Sequence, residues 1–469
     1  MKMFKYLLID GKYLSLLLIK ICFTLLIFFS FSRYNKMRKL SYFNFKEEYL
    51  KTQKKINITL YDVSYNKNNK IKIAIYTHCI KNGGRARVTA LFLQYLYKIK
   101  LFDIYLFTRK IREDNEYIFP SDIKRVITKN NIIKTIKKKK IVILVYELDE
   151  LKDILHLNAL KNTKVIFYHH SSTFDLLYEN YTLFKSIYKA FSFSKYVVSI
   201  VPFENDYLFK KWGIRSIFMN NFVTYEFILV IPSDLSSNII IMLGRAKAKK
   251  KRFVIGIQSM EYIIKEIPNC ELKIISNLTD INNLQFLVDN LYLGNNIRFF
   301  GYIASPDILF KNASLSFFPS ITEAFPMVLL ETKIYGIPNI LLGLDYISIS
   351  KGGTIIIYDD TPESLSKEAV NILNNHKHKK YLSTKARKSM KKFRNDILLY
   401  KWVKLILSIY HDDFFYINLC REDKKINKNE AIKIINNQIK LLKMRKPIFN
   451  GISVKDFENY TFMQTINLK

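Results

Sequence analysis

Cysteine is scarce: Cys22, Cys79, Cys270 and Cys420 are the only four in 469 residues. They lie too far apart for a disulfide framework or a zinc-ligand pattern, and Cys22 sits in an apolar segment. The seven histidines form no H-E-x-x-H. No G-x-G-x-x-G occurs, so a dinucleotide fingerprint is absent. Acidic residues are also in deficit, 40 Asp+Glu against 75 Lys+Arg, for a formal net charge of +35. Such an excess suits nucleic acid or an anionic membrane. Here the excess is mostly Lys, travels with Ile and Asn, and spreads along the whole chain, which reads as drift in an A/T-rich genome. No nucleic-acid motif accompanies the run Lys137 to Lys140, so nucleic acid is not an expected partner. A field attractive to anionic donors and lipid headgroups follows as a by-product. Hydrophobic residues at 49% and aromatics at 14% exclude a disordered chain, and the length allows two or three domains.

Residues 13 to 32 are apolar apart from Lys20 and a few hydroxyls. Twenty residues suffice to span a bilayer as a helix, with Lys20 snorkelling or the span starting later. No Ala-x-Ala cleavage site closes the segment, which ends in Ser30-Phe-Ser-Arg33. The expectation is an uncleaved single-pass anchor within residues 1–40, holding the protein at a membrane (endoplasmic reticulum or Golgi in a eukaryote). Orientation stays open. Flanking charges slightly favour a cytosolic catalytic part, while sequons at Asn57, Asn180, Asn277, Asn312 and Asn459 permit a lumenal one.

After a polar stem at 41–69, apolar strand-like runs begin at Lys70 to His78 and recur at Ile104 to Phe107, Ile141 to Val145, Val165 to Tyr168 and Val197 to Val201. Helical spacing between them, as at Val88 to Tyr97, predicts a parallel sheet covered on both faces. A break at Phe227 to Ser237 precedes a second series: strands at Asn238 to Leu243, Leu272 to Ser276, Ile297 to Phe299, Leu315 to Pro319 and Asn339 to Leu342. The expected helices among them are Phe253 to Glu266, Asn283 to Tyr292 and Pro362 to Asn375. The expected architecture is α/β: two Rossmann-like domains, 70–226 and 227–410, facing each other across a cleft. The tail 411–469 has no assignment.

Ligands in such sheets bind at the carboxyl ends of strands, and several chemistry-bearing residues fall there. Ser320 and Glu323 read as a capping box that starts a helix. Glu323 and Glu331 would then stand ~12 Å apart along it. That is too far to share a proton but suits gripping two ends of an elongated anion, with helix N–H groups between them for phosphate. Gly244-Arg245 and the cluster through Lys250 and Lys251 follow a strand and offer a fork and a point charge to a diphosphate. Gly83 and Gly84 let backbone N–H groups approach an anion. His169 and His170 end a strand. Each has a plainer reading: a surface helix, a solvated basic loop, a structural histidine.

In order, these stretches resemble the retaining GT-B glycosyltransferases called glycosyltransferase group 1, or family 4. The resemblance rests on "IAIYTHCIKNGGRARVTALF", "IIIMLGRAKAKKK", "IRFFGYIASPDILFKNASLSFFPS" and "EAFPMVLLETKIYGIP", and spans roughly residues 70 to 410. It implies a nucleotide diphosphate sugar as co-substrate. Arg245 and Lys250 would hold the diphosphate and Glu331 the ribose. Glu323 would face the transferred sugar, backbone N–H groups of Phe325 and Met327 would cradle sugar and phosphate, and Gly83 and Gly84 would border donor and acceptor. His169 or His170 would lie near the anomeric carbon. No metal or other cofactor is implied, in keeping with the absence of D-x-D. Lys273-Ile-Ile-Ser-Asn277 replaces a Gly-rich turn and Thr224 replaces an Asp, which leaves UDP or GDP open. The acceptor, a lipid-linked one or a glycan, is not coded. The alternative is an inactive relative serving as a membrane-bound scaffold.

Overall fold

The computed structural model describes residues 70–441 except 82, 111–115, 129–130, 180, 225–229, 246–248, 278–280, 302, 304–306, 414–416, 418–432, 435 and 439. The expected anchor at 13–32 lies outside the described residues. Among those described, no helix is long and apolar enough to cross a membrane.

Seven strands make the first sheet: β1 Ile71–Thr77, β2 Phe102–Thr108, β3 Lys124–Ile127, β4 Ile143–Tyr146, β5 Lys164–His169, β6 Tyr196–Ser199 and β7 Ser216–Phe218. Their order is β3-β2-β1-β4-β5-β6-β7, all parallel. Central β1 is a continuous apolar run because it is covered on both faces. Ile73 to Tyr76 are buried, and Ile73 pairs with Ile104 and Ile143.

The second sheet has six strands: β8 Ile239–Leu243, β9 Glu271–Ile275, β10 Ile297–Phe300, β11 Leu315–Phe318, β12 Asn339–Leu342 and β13 Thr354–Ile357. The order is β10-β9-β8-β11-β12-β13, again parallel. Its core joins Ile240 and Met242 to Ile257, Met260, Leu272 and Leu315. Three edge strands, β3, β7 and β13, add to the sequence reading. β7 has only three residues, and β3 reads Lys-Arg-Val-Ile, which carries no apolar run.

The chain crosses between the sheets twice. After Phe222 and Val223 it enters the second, and the helix Asn395–Tyr410 returns to pack on the first. Trp402, fully buried, lies 4.6 Å (ring centroids) from Phe92 and 4.9 Å from Tyr168. Burial of a side chain such as Phe92 contributes roughly 1.5–3 kcal/mol. Asn395 Nδ2 donates to the Val223 carbonyl and its Oδ1 accepts the Val223 N–H, both at 2.8 Å. The two crossings are thereby stitched into one hinge.

Candidate active site

Both sheets change direction beside their first strand: β1 neighbours β4, and β8 neighbours β11. Loops after those four strands open into the crevices that parallel sheets use for ligands. The loop after β1 leads through Gly83 into the helix Gly84–Ile99. Gly83 has φ +109°, and a Cβ placed there would meet nothing within 4 Å. Its backbone angle requires glycine, and the space above it is open. A Cβ on Gly84 would stand 3.5 Å from Met327 Cγ, so the glycine loop of the first sheet meets the second across the cleft.

The expected capping-box helix does not begin at Ser320. The helix is Met327–Ile334, with Pro326 at its N-cap (φ −69°). Proline disfavours helical backbone in the residue before it, so Phe325 cannot continue a helix from Ser320. Glu323 therefore lies in the loop after β11 and only Glu331 on the helix, and the helical spacing between them does not apply. Phe325 is buried beside this start, and the Met327 N–H belongs to the first turn, whose donors have no intrahelical acceptor. The Gly-x-Pro end behaves as its sequence suggests. Gly336 has φ +73°, with Gly336 N–H on the Lys333 carbonyl at 3.0 Å and Ile337 N–H on that of Thr332 at 2.9 Å, a Schellman closure.

Glu331 is 1% exposed. Its Oε1 pairs with Arg87, from the first sheet's helix, and accepts the Thr224 hydroxyl at 3.1 Å. Its Oε2 is buried with no hydrogen-bond partner among the described residues. Burial raises its pKa, opposed by the Arg87 charge and then the Thr224 hydrogen bond. Glu323 pairs with Lys251, and its N–H donates to the Tyr346 hydroxyl at 2.9 Å.

The expected cations are placed differently from one another. Arg245 is exposed and makes no ion pair among the described residues. Lys250 Nζ stands 3.3 Å from Asp175 Oδ1 across the cleft, and the same oxygen accepts the Thr322 hydroxyl at 2.6 Å. Asp175 is held by a capping box with Ser172: the Asp175 N–H donates to Ser172 Oγ at 3.0 Å, and the Ser172 N–H to Asp175 Oδ2 at 3.3 Å.

The two histidines diverge. His169 is buried, with Nδ1 2.7 Å from Asp149 Oδ1 and its ring against Tyr188 and Phe191. This is a satisfied core histidine, not a group presented to the cleft. Burial lowers its pKa, but the Asp149 charge and hydrogen bond outweigh that, and the net shift is upward. Asp149 shifts downward: burial raises it, and His169 more than compensates. His170 keeps slight exposure, and its ring lies 4.0 Å from that of Tyr168, tilted by 50°. Its Nε2 lies 3.7 Å from Glu147 Oε1, and neither atom has a hydrogen-bond partner among the described residues. Glu147 is fully buried, its other oxygen accepting the Thr89 hydroxyl at 2.5 Å.

A pH signature follows for the His169–Asp149 pair. The stability from protonated His169 is full below its ordinary 6.5 and is lost as pH rises through its raised folded value. That from Asp149 is present above its ordinary 3.8 and is lost as pH falls through its lowered value. The thermal midpoint of Asp149→Asn should thus trail the native chain most between those two values, and the gap should narrow as pH rises through the raised His169 value. A gap that stays constant from about pH 5 to about pH 9 contradicts this coupling.

Arg87, Asp175, Glu147 and Tyr346 were not singled out from sequence. Arg87 alone carried a signal, since it lies in the Gly-Gly-Arg-Ala-Arg stretch between buried Ala86 and Val88.

With this geometry in view, comparison with known proteins is direct. Residues 227–389 match the family model of glycosyl transferases group 1. This chain is 23% identical over 179 residues to the poly(glycerol-phosphate) alpha-glucosyltransferase of Bacillus subtilis (strain 168). That alignment covers 37% of this chain and 26% of the relative, so the chain spans about a quarter of that protein's length. Among solved structures, the sucrose-phosphate synthase of Thermosynechococcus elongatus is similar with TM-score 0.62 and 14% identity, over 73% of this chain and 100% of that one. TarM is similar with TM-score 0.59 and 12% identity, over 74% and 100%. HepE of Anabaena, solved with UDP and glucose, gives 0.58 and 12% over 72% and 99%. The two parallel-sheet α/β domains are those of GT-B neighbours. The group 1 match falls on the second domain, and the solved structures share the fold.

Proposed function

We propose that this chain is a retaining glycosyltransferase of family 4 that moves a sugar from a UDP- or GDP-sugar to a lipid-linked or glycan acceptor, anchored to a membrane by residues 13–32. The observation that carries the donor site is Glu331. A fully buried carboxylate with one oxygen unpartnered costs folding free energy, and a ribose hydroxyl would complete it. HepE was solved with UDP-glucose, which favours UDP as the nucleotide.

In this reading Arg245 and Lys250 neutralise the diphosphate as it leaves, Lys250 exchanging Asp175 for phosphate. Glu323 faces the sugar hydroxyls, and the N–H groups of Phe325 and Met327 cradle sugar and phosphate beneath the Gly83–Gly84 loop. The sugar C1–O bond to the diphosphate breaks as the acceptor oxygen bonds to the same face of C1, and the departing phosphate oxygen takes the acceptor proton. No protein nucleophile or metal is required. Positioning and leaving-group stabilisation carry the rate. Of the two histidines, His170 is the one assigned beside the anomeric carbon, with Glu147 as its positioning residue.

The test is nucleotide release by the full chain from a panel of UDP- and GDP-sugars with a chelator present. Slow release from one donor, abolished in Glu323→Ala, is expected. No release and no binding with any donor would favour the inactive scaffold. Glu331→Gln should weaken donor binding about tenfold or more, the range of a hydrogen bond to a charged group. Unchanged affinity by calorimetry would remove Glu331 from the site.

A further inference from the structure

A second concave site lies at the hinge. Its cavity, about 530 Å³, is bordered by the end of β7 and the chain that follows (Phe218 to Asn221), the loop after β12 (Asp345 to Lys351) and the return segment from Lys392 to Lys401. That volume suits a small metabolite. None of Arg245, Lys250, Glu323 or Glu331 lines it.

Its charge is one-sided. Among the described lining residues, Lys351, Lys392, Arg394 and Lys401 accompany a single carboxylate, Asp345. Arg394 pairs with Asp396. Lys392 Nζ instead donates to the Ser348 carbonyl at 3.1 Å, a neutral partner that leaves its charge uncancelled. Behind it, fully buried Lys333 holds the carbonyls of Ile349 and Lys351. Burial, then the Lys392 charge, pulls the Lys333 pKa well down, and burial, then Lys351, lowers that of Lys392. Lys392 thus disfavours the charge of Lys333, and Lys351 that of Lys392, a repulsion that an anion in the cavity would relieve.

Buried polar atoms point the same way. Asn220 Oδ1, Asp345 Oδ1 and Ser348 Oγ are buried without hydrogen-bond partners among the described residues. Two of these can only accept, so they call for O–H donors. Cations for phosphate and acceptors for hydroxyls together describe a phosphorylated polyol.

We propose that the hinge cavity binds a phosphate-bearing polyol, with its phosphate on Lys351 and Lys392 and its hydroxyls on Asn220 and Ser348. Such a ligand would join the two domains where the chain crosses. It would also touch the donor loop, because Tyr346 lines the cavity and its hydroxyl accepts the Glu323 N–H. The site does not depend on the donor reading.

The probe is sn-glycerol 3-phosphate titrated calorimetrically into the full chain, with glycerol as the uncharged comparator and UDP binding as the report on the donor site. Saturable binding is expected, equal in the native chain and Glu331→Gln, and weakened about tenfold in Lys392→Gln, the scale of one charge-assisted hydrogen bond. Ser348→Asp, which sets a carboxylate on the wall, should weaken it likewise and guards against misfolding of the lysine variant. Retained UDP binding in both would show that they fold. Three results overturn the proposal: no binding to the native chain, equal affinity in every variant, or binding lost in Glu331→Gln but kept in Lys392→Gln. Failure of UDP to bind while glycerol phosphate still does would sink the donor reading and leave this one standing.

Discussion

Arg245→Ala is expected to slow donor cleavage by a factor on the order of 10² to 10³ while leaving the thermal midpoint unchanged. The two halves of this result have separate causes. Arg245 is exposed and has no ion pair among the described residues, so the fold loses nothing when it is truncated. Surface substitutions of this kind stay within about 0.5 kcal/mol. Its proposed partner exists only with donor bound: two phosphates whose negative charge grows as the sugar leaves. A planar fork placed there acts mainly on the transition state. Arg245→Lys should recover only part of the rate, because an ammonium cannot bind two phosphate oxygens in parallel. Single-turnover nucleotide release, with circular dichroism melts on the same samples, reads both halves. A native rate in Arg245→Ala would end the phosphate assignment, and a lower midpoint would give the residue a structural role instead.

Arg87→Ala should destabilise the chain by about 3–5 kcal/mol at neutral pH, the cost of stranding one member of a buried ion pair. Glu331 is 1% exposed, and its charged partner is Arg87 from the other sheet. The pH dependence gives the sign. The folded pKa of Glu331 already lies above its ordinary 4.5. A group raised in this way contributes stability below its unfolded pKa and loses it as pH rises through the folded value. Removing Arg87 raises that value further. The deficit should therefore be large at neutral pH and shrink as pH falls toward 4.5, where Glu331 takes a proton. Adding Glu331→Gln to Arg87→Ala should restore most of the loss, since the charge is then gone. Urea unfolding of the native chain and the single and double variants at two pH values measures this. A deficit independent of pH would mean that Arg87 acts through packing alone.

Much of this architecture could be read along the chain. The runs at β1, β4, β5, β8, β11 and β12 are continuous and apolar because each strand is covered on both faces. Gly336 and Pro338 mark a helix end because few other residues tolerate that backbone. The edges were less legible: β7 has three residues, and β3 is half basic. Ser320 and Glu323 had the letters of a capping box, but Pro326 set the helix start. The working box is Ser172 with Asp175, where no proline intervenes.

Sequence by itself determined the period of the strands, the order of loops at their carboxyl ends, and the residue types that could meet a phosphate. Those are local properties, set by backbone geometry and burial pattern over a few residues. Tertiary structure alone decided which charges answer each other. Glu331 meets Arg87 from 244 positions away, Lys250 meets Asp175 from 75, and of two adjacent histidines one is sealed against Asp149 while the other faces Glu147. Such pairings follow from which groups the packed core removes from water, and no spacing along the chain encodes that.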